Sequence, residues 1–219
     1  RQALGIVRIL RGRGEWSLPI DTLVNKAAAI YGGDLGFTFE VMHLILGRLS
    51  NLLIEEGHRT EVVNAVSSLK GKRDYQITSL CAKVEALSQI VDQPDFAEIA
   101  VAAKRVLNIL RQAEDKLSLD VSMITRPAGA GPTEEAERAL AEALPRIKAQ
   151  VAECWAEGDH IGAFRALARL RPEVDAFFDT VRVMDEDETK RDFRLALLAE
   201  FRAVFLDIAD ISQIAVEQS

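Results

Sequence analysis

Apolar residues recur three and four positions apart along nearly the whole 219-residue chain, and strict alternation over strand lengths is almost absent. That period puts side chains i, i+3, i+4 and i+7 on one face of a helix. It predicts an all-α protein, a helical bundle whose amphipathic helices bury their stripes against one another. Glycine and proline punctuate it. Residues 1–12 read as a first helix, ended by Gly12 and Gly14. Leu18 to Tyr31 form a second, with Asp21 as a cap near its start and Gly32-Gly33 as its stop. Phe37 to Glu56 form a long third, stopped by Gly57, with the stripe Val41, Leu44, Ile45, Leu49, Leu52 and Leu53. Thr60 to Leu69 is a short fourth, Gly71 to Asp74 a turn, and Tyr75 to Val91 a fifth carrying Leu80, Val84, Leu87 and Val91 on one side.

Pro94 stands where a helix accepts proline, in its first turn. The helix it opens, Asp95 to Glu114, is expected to bury Phe96, Ile99, Ala103, Leu107 and Leu110. The stretch Arg126 to Pro132 is a Gly/Pro linker that forbids a continuing helix. Thr133 or a neighbour caps the next helix, which runs to about Ala156; Gly158-Asp159 is a stop followed by a cap; His160 to Arg171 is a further helix. Pro172 starts the one containing Val174, Phe177, Phe178 and Val181. The acidic run Asp185 to Glu188 precedes a final helix, about Thr189 to Ala215, and its carboxylates favour the helix dipole. That last helix is apolar on two sides, Leu195, Leu198, Phe205, Ile208 and Leu197, Phe201, Val204, Ile211, so it belongs near the centre of a bundle. No repeat of 30–45 residues stands out, which disfavours a solenoid.

Several function classes lose support here. Cys81 and Cys154 lie far apart with no CxxC pair, so neither a disulfide framework nor a cysteine metal site is expected, and a reducing, cytoplasmic compartment fits. No apolar run approaches the ~18 residues of a membrane span, so a membrane protein is not expected. His43, His58 and His160 lack metal-type spacing, and His43, within an apolar helix, reads as structural. Walker A, GxGxxG and GxSxG are all missing, so no catalytic residue and no metal is assigned. The chain opens on Arg1 in mid-pattern and without a signal peptide, which reads as a piece of a longer protein.

Net charge is −7, with 14 cations and 14 acids in residues 1–115 and 13 cations against 20 acids in 116–219. A protein that coats nucleic acid non-specifically would be basic. Nucleic acid would therefore have to meet a local patch, and Arg1, Arg8, Arg11 and Arg13 make one such patch. Another is the helix face bearing Lys104, Arg105, Asn108 and Arg111, which suits phosphates or base edges; as a solvated face with surface ion pairs it would carry little energy. Phe177, Phe178, Phe193, Phe201 and Phe205 are of the type that stacks on bases, but their helical spacing assigns most of them to the core.

The wording of particular segments adds a resemblance. RQALGIVRIL at the start, LGRLSNLLIEEGHRTEVVNAV at 46–66, AKVEAL at 82–87, AAKRVLNIL at 102–110 and FFDTVRVMDEDETKRDFRLALLAEFRAVFLDIADIS at 177–212 resemble the beta subunit of bacterial glycyl-tRNA synthetase, over Arg1 to about Ile214. The last block also resembles the DALR anticodon-binding domain of arginyl-tRNA synthetases. The resemblance implies a helical body over residues 1–92 and a DALR-like anticodon-binding bundle over 93–219. It implies membership of a ligase that joins glycine to tRNA(Gly) using ATP, with the adenylate chemistry on a separate alpha subunit. This piece would then hold no cofactor and catalyse nothing itself. Its partners would be tRNA(Gly) and the alpha subunit, with no membrane and no DNA.

Carried over position by position, Lys104, Arg105 and Asn108 stand at the family's KR-x-x-N, and Arg191 and Arg194 at the two arginines of its R-x-N-R-L. Phe193 replaces the asparagine between them, Arg182 replaces a usual methionine and Lys83 a usual arginine. The implied mechanism is that of single-stranded RNA recognition, in which splayed bases are stacked and read along their edges. Lys104, Arg105, Asn108, Arg111, Arg191 and Arg194 would neutralise loop phosphates. A nearby carboxylate would accept from the amino group of a cytosine, two of which glycine anticodons share. The rival reading is a helical module that docks another protein and never touches RNA. An autonomous helical enzyme is disfavoured by the missing motifs.

Overall fold

The computed structural model describes residues 1–13, 16, 18–67, 75–118, 120 and 123–214. Among them there are helices and no strands: α1 (Gln2–Gly12), α2 (Ile20–Tyr31), α3 (Leu35–Glu55), α4 (Thr60–Ser67), α5 (Ile77–Ile90), α6 (Pro94–Leu117), α7 (Glu135–Ala156), α8 (His160–Ala168), α9 (Arg171–Thr180), α10 (Glu188–Leu206) and a 3-10 turn at Ile211–Gln213. The turn expected at Gly71 to Asp74 lies outside the described residues, as do Gly14, Leu69 and Ala215.

Local chemistry sets the helix starts. Asp34 caps α3 by accepting from the Phe37 N–H at 2.8 Å. Asp159 caps α8 through the Gly162 N–H, and Asp187 caps α10 through the N–H groups of Thr189 and Lys190. Glu134 precedes α7, and the Glu137 carboxylate turns back to accept from the N–H groups of Thr133 (2.5 Å) and Glu134 (3.3 Å). Pro94 and Pro172 sit in first turns, where the missing N–H costs nothing. Pro19 stops α2 from starting at Leu18; the Ile20 N–H bonds instead to the Tyr75 carbonyl, and Asp21 lies inside the first turn.

In the first half, α3 packs on α1, α2 and α4, and α5 on α1 and α4. In the second, α7 packs on α8, α9 and α10, while α6 lies against α8, α9, α10 and the 3-10 turn. Contacts of α5 with α8, and of α4 with the 3-10 turn, join the halves into one apolar core running from Val7 to Ile214. Two-sided burial of α10 holds: Leu195, Leu197, Leu198, Phe201 and Phe205 are all fully enclosed.

Some expectations need correction. The final helix ends at Leu206, because the chain turns to hand the Asp210 N–H to the Ala65 carbonyl at 2.8 Å. Asp210 is fully buried, and its carboxylate accepts from Ser212 and Gln213, so Ile211 and Ile214 reach the core from a turn. The helix expected from His160 to Arg171 ends at Ala168, and the one expected to start at Pro172 begins one residue earlier, at Arg171. Leu44 belongs to no buried stripe: α3 buries Met42, Ile45, Leu46, Leu49 and Leu53, and leaves Leu44 exposed. The stretch Gly36–Glu55 has a mean hydropathy of 1.3 and is long and apolar enough to cross a membrane by length and composition, with about a third of it buried. This departs from the expectation that no apolar run approaches such a length: Glu40 and Arg48 break the run without bringing its mean hydropathy down far enough.

Candidate nucleic-acid interface

The packing of α6 against α10 leaves a groove of about 330 Å³, at the small end of ligand-sized pockets. From α6 come Lys104, Asn108, Arg111 and Glu114; from α10, Arg202; from the 3-10 turn, Ser212. Leu107, Leu110 and Leu206 supply its apolar lining. The turns along α6 from 104 to 111 present one face, as the spacing expects. Arg111 donates to the Asn108 side-chain Oδ1 at 3.5 Å. Lys104, Arg111 and Arg202 make no ion pair with a described residue. The Arg202 Nε is out of solvent with no acceptor among the described residues. A buried guanidinium N–H without an acceptor is costly.

The other expected site residues lie elsewhere. Arg105 leaves the groove and sets its guanidinium over the ring of Phe178 on α9, 4.1 Å from the centroid. It remains exposed, so one face of the stack is open to a base or phosphate. Arg191 is half-buried at the start of α10 and pairs with Asp192 at 3.0 Å and Glu188 at 3.8 Å. It stands eleven residues, about 16 Å of helix, from Arg202.

Arg194 is the correction that matters most. It is 1% exposed, and no RNA can reach it in this fold. Its Nε donates to Glu137 (2.5 Å), Nη1 to Asp185 (2.6 Å) and to the Arg182 carbonyl (2.8 Å), and Nη2 to Glu134 (3.0 Å). Burial opposes the charge on this guanidinium, yet its bonds to Glu137 and Asp185 outweigh burial and raise its pKa. Burial likewise pushes the Glu137 carboxyl upward, but the N–H of Thr133 and the Arg194 guanidinium win and hold it below the usual carboxylate range. Asp185 is lowered by the Asp187 N–H first and by Arg194 second. The cluster ties the start of α7 and the α9–α10 connection to α10. Beside it, Arg126 in the linker grips Glu200 with two bonds (2.6 and 2.7 Å) and covers the ring of Phe193.

Phe177, Phe193, Phe201 and Phe205 are core residues, leaving half-buried Phe178 as the one of the five that meets a surface cation. Among the described residues no three His, Cys, Asp or Glu side chains gather as a metal-binding group. Arg202, Glu114 and Ser212 were not singled out from the sequence. The available signal for Arg202 was a lone cation in the apolar stretch from Leu195 to Leu206.

The fold is a helical module with a cationic groove between two packed helices, and comparison supplies its class. The DALR anticodon binding domain family matches residues 99–216, more than half of the chain, and the chain belongs to that family. It is also similar to beta subunits of glycine–tRNA ligase. Identity is 35% over 218 residues with that of Methylobacillus flagellatus, covering 98% of this chain and 29% of the relative. It is 39% over 219 residues with that of Photorhabdus laumondii, covering 97% and 30%. The chain thus spans about 30% of the length of the relatives it matches.

Proposed function

We propose that this chain is the anticodon-recognising part of a glycine–tRNA ligase beta subunit, and that the groove between α6 and α10 receives the unpaired anticodon loop. The observation that carries this is the gathering of three cations without carboxylate partners, Lys104, Arg111 and Arg202, inside the segment that matches the DALR family. In this reading the three neutralise phosphates, and Arg202 also satisfies its buried Nε. Asn108 and Glu114 face base edges, the carboxylate accepting from a cytosine amino group. Arg105, braced on Phe178, offers a guanidinium plane to a splayed base. Arg191, already paired with Asp192, contributes at most to the field around the site. The ligation of glycine, which uses ATP, falls to the alpha subunit of the same cytoplasmic enzyme, and neither DNA nor a membrane takes part.

The test is binding of the chain to glycine tRNA and to the same tRNA with its two anticodon cytosines replaced, across a salt series. The altered tRNA binds more weakly. The triple variant Lys104→Ala, Arg111→Ala, Arg202→Ala flattens the salt dependence by about 2 in log–log slope, at ~0.7 per lost single-strand phosphate contact. Equal binding of both tRNAs, or an unchanged slope in a folded triple variant, refutes the reading.

A further inference from the structure

One corner of the molecule is built of large apolar side chains that face solvent. Where α2 ends and α3 begins, Ile30 is 77% exposed, Tyr31 86%, Phe37 52% and Phe39 56%, and Leu44, two turns beyond Phe37 on the same side of α3, is 53% exposed. At ~200 Å² per ring, the three aromatics alone leave on the order of 400 Å² open. That equals the largest apolar patch of a typical monomer, and such patches mark interfaces. The described residues expose six other large apolar side chains: Ile6, Ile9, Trp16 and Leu18 near the start of the chain, and Val101 and Met123 further on.

The backbone constructs this ridge. Gly32 takes a left-handed conformation at φ 73°, which turns the chain sharply out of α2. Gly33 follows, and a Cβ there would sit 2.8 Å from Phe37 Cδ1, so only glycine lets that ring fold back over the end of α2. Beside the ridge lies a hollow of about 610 Å³ lined in part by Ala28, Ala29, Gly33 and Gly36. A ridge of rings next to a floor of small residues can interdigitate with another apolar surface.

We propose that this corner packs against the part of a beta-subunit polypeptide that lies outside these 219 residues. The relatives align with 97–98% of this chain, yet it fills only about 30% of their length. More than two thirds of such a protein therefore has to meet this part across some face. Permanent interfaces resemble a core cut in half, whereas nucleic-acid interfaces are polar and cationic. The corner matches the first description: its one acid on the turn, Asp34, is engaged as the cap of α3. The groove between α6 and α10 matches the second. The proposal rests on the beta-subunit part of the reading above, together with these exposures and lengths, and does not depend on RNA seating in the groove.

The test is hydroxyl-radical footprinting of the full-length beta polypeptide, alone and at two concentrations, with oxidation at Tyr31, Phe37 and Phe39 compared with the denatured chain. At least ten-fold protection at both concentrations is expected, with Met123 remaining reactive. A photo-crosslinking benzoylphenylalanine at position 31 is expected to capture a peptide from outside residues 1–219 of the same chain. Oxidation within two-fold of the denatured rate overturns the proposal. So does protection that arises only on concentrating the protein, or on adding the alpha subunit, tRNA or lipid vesicles, since each assigns the corner to a different occupant.

Discussion

Replacing Arg194 by Met tests whether the arginine at the second R of the family-like motif holds the fold or holds RNA. The substitution removes four hydrogen bonds, three of them to carboxylates. The partners suffer unequally. Glu134 and Asp185 have side chains 42% and 28% exposed, so water replaces the lost guanidinium. Glu137 is 1% exposed and keeps only its bonds from Thr133 and Glu134. Removing one partner of a buried ion pair costs ~3–5 kcal/mol, and the retained bonds to Glu137 place this case near ~3 kcal/mol. At ~2–4 °C per kcal/mol for a chain of this size, Tm should fall by about 6–12 °C. Thermal unfolding followed by circular dichroism reads this directly. Adding Glu137→Leu to Arg194→Met should recover part of the loss, because an apolar pair leaves no buried charge. A Tm within ~1 °C of the parent, with tRNA affinity reduced, would show that Arg194 is a surface ligand and that the buried network is not what stabilises the bundle.

Other consequences follow from the same geometry. Glu137 and Asp185 titrate below their usual values in the folded chain, so their stabilisation is present at neutral pH and is lost as pH drops through the lowered folded values; acid unfolding followed by circular dichroism should begin below about pH 4 and depend less on pH in Arg194→Met. Glu114→Gln should narrow the preference for cytosine-bearing anticodons while leaving the salt slope unchanged, measured by competition between the two tRNAs. Phe178→Ala should release the Arg105 guanidinium and weaken tRNA binding a few-fold with a small change in Tm, whereas equal affinity would take Arg105 out of the interface. Burial pushes the Cys81 thiol up to about 11, so a thiol reagent at mildly alkaline pH should leave it unmodified until the chain unfolds.

Helix number and order were legible in the residue pattern because each helix carries its own punctuation. Asp34, Asp159 and Asp187 cap within three residues, and Pro94 and Pro172 mark starts whatever lies around them. Burial of a given side chain was less legible, since it depends on partners far along the chain. Arg194 reads as a surface cation until Glu137, 57 residues earlier, is folded against it. Leu44 reads as core because α3 is apolar over more than half its circumference, and only the positions of α1, α2 and α4 decide which side is covered. The continued period of Ile208 and Ile211 suggested helix, but one long-range bond from Asp210 to Ala65 bends the chain there. Half of the groove was visible as one face of α6; Arg202 required knowing that α10 lies across from it.

Acidity and RNA binding are compatible here because of how the cations are distributed. Arg11 pairs with Glu56, Arg59 with Glu61 and Asp92, Arg126 with Glu200, and Arg171 with Asp95, Glu98 and Asp175. Each of these arginines is neutralised locally and adds little field beyond its neighbours. In the groove, Lys104, Arg111 and Arg202 meet a single lining carboxylate, Glu114. The groove therefore gathers cations where the net charge of the chain gives no hint of them, and acids elsewhere on the surface disfavour a polyanion that does not fit that spot. On the reading proposed above, a phosphate backbone gains affinity by seating in the groove, whose walls also carry Asn108 and Glu114. An acidic exterior thus turns a small cationic groove into a selective one, which a uniformly basic helix face would not achieve.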